Sequence, residues 1–76
     1  MKSLTISLNS VDKVKTFVDI LTKQNGSYDL VSGRYVVDAK SIMGIFSLDL
    51  SKPQTLNIHE DGEFDSVKAA LESYLV

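Results

Sequence analysis

The sequence predicts an α+β domain: a four-stranded antiparallel sheet with its helices packed on one face, an open-faced two-layer sandwich in the order βαββαβα. Short runs in which apolar and polar residues alternate predict strands covered on one side only. Two longer stretches repeat their apolar residues at helical spacing, so each has one stripe to bury. Glycine-containing turn signals separate these runs. Sheet and helices then satisfy each other by packing face to face.

The elements follow in order. Leu4, Ile6 and Leu8 alternate with Thr5 and Ser7 and predict the first strand. Asn9-Ser10 offers a cap, and Val11, Val14, Phe17, Val18 and Leu21 carry a helix expected from Ser10 to Gln24, closed by a left-handed glycine at Asn25-Gly26. Residues 27–32 read as a second strand with Tyr28 and Leu30 facing inward. Ser32-Gly33 turns the chain, and residues 34–38 return as a third strand with Tyr35 and Val37 inward. A short helix follows near residue 42. Pro53 has no amide to give a ladder, so it marks the entry to the fourth strand, in which Leu56 and Ile58 alternate with Thr55, Asn57 and His59. After Glu60-Asp61-Gly62-Glu63, the stripe Phe64, Val67, Leu71 and Tyr74 predicts a last helix.

At 76 residues the chain reads as one domain, residues 1–76. A domain of that length buries only about 60% of the surface its unfolded chain exposes, which leaves little room for a deep internal active site. Cysteine is absent, which excludes disulfides and thiolate chemistry and suits a reducing compartment. Eight Lys and Arg against ten Asp and Glu give a net charge of -2. That balance argues against nucleic-acid binding, which calls for clustered positive charge. The opening residues lack the apolar core of a signal peptide and no run approaches the roughly 20 apolar residues of a membrane span, so a cytoplasmic protein without membrane insertion is expected. Cofactors and metals are not expected: the single histidine, His59, is a poor basis for a zinc site, and the acids around Gly62 do not follow the calcium-loop pattern.

Residues 40–48, Lys-Ser-Ile-Met-Gly-Ile-Phe-Ser-Leu, stand apart. Ser41 reads as an N-cap in front of an apolar run too short to cross a bilayer. Ile45 and Leu48, three apart, can turn into a core. Ile42 and Phe46, four apart, share another side. A one- to two-turn helix with a partly exposed apolar patch is the expectation, and such patches mark contact sites.

This stretch resembles the second-helix signature of HPr, the phosphocarrier of the bacterial sugar phosphotransferase system, and the order of elements along the whole chain is that of the HPr-like family. The resemblance implies a face, here Ile42, Met43 and Phe46 with the start of the first helix, that docks proteins of the phosphotransferase system or of carbon regulation. It also makes Ser41 a candidate for regulatory phosphorylation, because some Gram-positive HPr proteins are phosphorylated at that motif position. HPr proteins carry their phosphoryl group on a histidine just before the first helix, in a motif of the type Gly-x-His-Ala-Arg-Pro-Ala. The corresponding residues here, Leu8-Asn9-Ser10-Val11-Asp12-Lys13-Val14, contain no histidine, arginine or proline. Asp12 favours the helix dipole but repels a phosphate. The expectation is therefore a non-catalytic HPr-like regulatory or protein-binding module with no catalytic residue. The alternative is a phosphocarrier using an unorthodox acceptor, His59 or Ser10. The sequence leaves the oligomeric state open.

Overall fold

The computed structural model describes residues 2–76. Strand β1 (Lys2–Ile6) leads to helix α1 (Val11–Thr22), strands β2 (Tyr28–Ser32) and β3 (Tyr35–Asp38), helix α2 (Ile42–Phe46), strand β4 (Gln54–Ile58) and helix α3 (Phe64–Ala70), with a closing 3-10 turn at Glu72–Tyr74. The sheet runs β1-β4-β2-β3, antiparallel throughout. Leu4, Leu56, Leu30 and Val37 stand opposite one another across all four strands. Because side chains alternate between faces, this register fixes the core side. Leu4, Ile6, Tyr28, Leu30, Leu56 and Ile58 are buried there with Val14, Phe17 and Leu21 of α1, Ile45 of α2, and Val67, Leu71 and Tyr74 of the C-terminal segment. Phe17 and Tyr74 meet edge to face at 6.1 Å, joining the first helix to the closing 3-10 turn. The opposite sheet face, with Ser3, Thr5, Asp29, Val31, Thr55 and Asn57, is left polar or partly exposed.

Three expectations are corrected. Tyr35 lies in the inward phase with Val37 but is 71% exposed. The hairpin tip runs past the helix layer: a methyl group added at Gly33 would meet nothing within 4 Å. The first helix closes at Lys23 in right-handed conformation, with the Lys23 and Gln24 amides reaching back to Ile20 and Leu21, so a 3-10 turn ends it. Gly26 does have φ +111°, but its use is tertiary: a Cβ there would come within 2.6 Å of Gly62 Cα, so the two loops approach this closely only because residue 26 is glycine. The last helix is not continuous either. It ends at Ala70 and tightens into the 3-10 turn, after which Ile6 bridges Leu75 and the Val76 amide donates to Thr5, covering part of the open edge of β1.

Candidate functional site

Helix α2 is fixed at both ends by its own sequence. Ser41 is extended (φ -98°, ψ 105°) and its Oγ accepts from the Gly44 amide at 3.2 Å. Ser47 closes the other end, its hydroxyl donating to the Gly44 carbonyl at 2.6 Å. Five residues cannot hold a helix by propensity alone, so the caps and tertiary packing do it. Ile45 is fully buried and Leu48 is buried beside it, the pair expected to turn inward. Gly44 sets how close the helix lies to the sheet. A Cβ there would stand 3.3 Å from Val37 Cβ, so α2 rests directly on β3.

That inward anchoring turns the rest of α2 out. Met43 is 81% exposed and Phe46 42%, while Ile42 is half-buried and packs against the core. Val11, at the start of α1, is also exposed, and α1 packs against α2. Met43 and Phe46 are therefore held outward by a capped helix rather than by a loose loop. Of the residues expected to share a contact face, Met43 and Phe46 are open to solvent and Ile42 contributes only an edge. Ser41 is half-buried, with its hydroxyl engaged as the cap.

At the position before α1, Ser10 accepts from the Lys13 amide at 3.2 Å through its Oγ, the ordinary bond of an N-cap. Leu8 is buried and Asn9 exposed, and no imidazole or guanidinium belongs to this stretch. His59 is far away. Lys2 pairs with Ile58 and Ile6 with Gln54, so His59 follows the end of β4 beside the start of β1, whereas α1 departs from the opposite end. The intervening strand length is about 17 Å. His59 Nε2 is 2.7 Å from Asp29 Oδ2, and the His59 amide donates to Ser27.

The acids near Gly62 are not all equivalent. Asp61 accepts from the Ser27 amide at 3.0 Å and from its hydroxyl at 3.2 Å, tying the α1–β2 connection to the β4–α3 turn. These bonds hold its carboxyl below the usual aspartate range, the backbone bond contributing most. This contact spans 34 residues and so has no local signature in the sequence. The phenol of Tyr28, buried next to this tie, is pushed up by desolvation and by the Asp61 and Glu63 charges. Gln54, at the head of β4, is buried; its amide nitrogen donates to the Asp49 carbonyl, while its Oε1 has no hydrogen-bond partner among the described residues. Among the described residues no group of three or more His, Cys, Asp or Glu side chains converges on a metal position, and no helix is long and apolar enough to cross a membrane.

No protein-family model and no curated protein matches the chain. Among solved structures it is similar to HPr-C-His from Thermoanaerobacter tengcongensis, with a TM-score of 0.81 and 28% identity over 97% of this chain and 91% of that one.

Proposed function

We propose that this chain, HPr-like in fold, is a regulatory or protein-binding module that meets proteins of the phosphotransferase system or of carbon regulation in the bacterial cytoplasm and does not relay phosphate through histidine. One observation carries this: Met43 and Phe46 stand exposed on a doubly capped α2, in a chain whose residues 8–14 supply no histidine. A large apolar side chain held rigidly outward costs little entropy to bind, and such anchors dominate interface energies. Met43 adds a flexible, polarisable contact that adapts to a partner's surface.

Ser41 is proposed as the regulatory position of this face. A phosphate there would add about -1.5 to -2 charge beside Ile42 and Met43 and change what the face attracts. The cap would be kept in altered form, since a phosphate oxygen can still accept from Gly44.

The test has two arms. Incubation with enzyme I and phosphoenolpyruvate, followed by intact-mass measurement at alkaline pH with an HPr control, is expected to label the control alone. A phosphate-sized gain that disappears in His59→Asn would instead establish a phosphocarrier with a relocated acceptor. Titration calorimetry against purified enzyme I should show binding that weakens by about tenfold in Met43→Lys and in Phe46→Lys, the loss of roughly one interface anchor. Equal affinity in both variants would remove the α2 face from the proposal.

A further inference from the structure

We infer that Lys40 is the positioning residue of the α2 face, a strut that ties the lead into α2 to the end of α1. The inference rests on the reading of α2 as a contact surface and names what holds that surface in place. Helix α1 ends at Thr22 with Lys23 as its C-cap, and the connection that follows presents the Gln24 and Gly26 carbonyls to a side chain from elsewhere in the chain. Lys40 reaches this connection from 16 residues away. Its Nζ donates to the Gln24 carbonyl at 2.9 Å and to the Gly26 carbonyl at 3.1 Å, and it lies 5.3 Å from the centroid of the Tyr28 ring. Two hydrogen bonds and one cation–π contact therefore converge on one ammonium.

The backbone around Lys40 is pinned residue by residue. The amide of buried Ala39 donates to the Tyr28 carbonyl at 3.0 Å, that of Lys40 to Asp38 Oδ1 at 2.9 Å, and that of Ser41 to the Asp38 carbonyl at 2.9 Å. Ser41 then caps α2 directly. With its stem fixed by these bonds and its head fixed on the connection that leaves α1, Lys40 leaves the α2 axis little freedom relative to the end of α1. A shift of α2 would break two charge-assisted hydrogen bonds, which are stronger than neutral ones. Tyr28 connects the same knot to the opposite loop, because its hydroxyl donates to the Asn25 carbonyl while its ring edge faces Gly62.

Amide hydrogen exchange followed by NMR tests this without any partner, so its outcome is separate from that of the contact reading. Lys40→Met keeps an apolar stem over Tyr28 and removes charge and donors. The amides of Gly44, Ile45, Ser47 and Leu48 in and after α2, and of Lys23 and Gln24 at the end of α1, should exchange about tenfold faster. Strand amides such as Leu56 should not change, and Lys40→Arg, which keeps charge and donors, should restore at least part of the protection. Unchanged α2 amides in Lys40→Met, or equal acceleration of every amide including Leu56, would overturn the inference. Should Lys40→Met fail to fold, the unmodified chain still decides: the Lys40 ammonium protons should exchange with water more slowly than those of Lys23, whose side chain is 76% exposed. Equal rates would also overturn it.

Discussion

Two glycines that look alike in the sequence do different things. Gly26 and Gly33 both have positive φ, but a Cβ at Gly33 would meet open space, while one at Gly26 would strike the backbone of Gly62 and Asp61. Gly33→Ala should cost only the left-handed strain, about 1 kcal/mol. Gly26→Ala adds a clash that no side-chain rotation relieves, and about 3 kcal/mol or more is expected. Urea denaturation of the two variants makes the comparison; equal losses would mean that the Gly26–Gly62 contact does not constrain the loops. Asp61 gives a prediction in pH. The hydrogen bonds from Ser27 hold its carboxyl below the ordinary aspartate range, so the ionised form is favoured by the fold. Its stabilisation is present at pH above the unfolded value and is lost as pH falls through the lower folded value. The stability gap between the unmodified chain and Asp61→Asn should be constant near neutrality and shrink below about pH 4. A gap that did not change down to pH 2 would assign the effect to something other than the ionised carboxylate.

At the scale of elements, α2 divides its work by position. Ile45 is fully buried, so Ile45→Ala should cost about 2–4 kcal/mol. Met43→Lys changes a side chain already in water and should stay within about 0.5 kcal/mol. Phe46→Lys should fall between them, because the ring is 42% exposed and gives up only part of its burial. Thermal unfolding of the three variants checks this order, and a loss for Phe46→Lys as large as for Ile45→Ala would make Phe46 a core residue. The spacing within residues 40–48 already separated the inward pair Ile45 and Leu48 from the rest. It did not separate Ile42 from Phe46, because how deeply each is covered depends on neighbouring elements such as α1 and β3, which are distant in sequence.

For the whole molecule, the consequential distance is the length of the sheet. The antiparallel register puts the start of α1 and the only histidine at opposite ends, so His59 cannot act at the site from which an HPr histidine would act. The β1 edge is closed in part by the chain's own last residues, with the Ser7 amide donating to Tyr74 and Ile6 bridging Leu75. Leu75→Ala should lower stability by about 1 kcal/mol, near 4–8 °C in melting temperature for a domain of this size. It should also accelerate exchange at Ser7 relative to Leu56. Unchanged exchange at Ser7 would show that the edge is held without the Leu75 contact.

The sequence by itself determined the order of elements and the inner phase of the strands, because periods of two and of 3.6 residues are local consequences of backbone geometry. It also determined both serine caps and the absence of a histidine before α1, since a cap bond spans only three residues and an absent residue type needs no fold to be seen. Only the tertiary structure decided which in-phase residues escape cover, as Tyr35 does at the hairpin tip. It alone decided that Gly26 serves Gly62, that Asp61 serves Ser27, and that Lys40 holds the connection after α1. Each of these joins residues many positions apart, and their partners are set by the sheet register and helix packing rather than by any spacing along the chain.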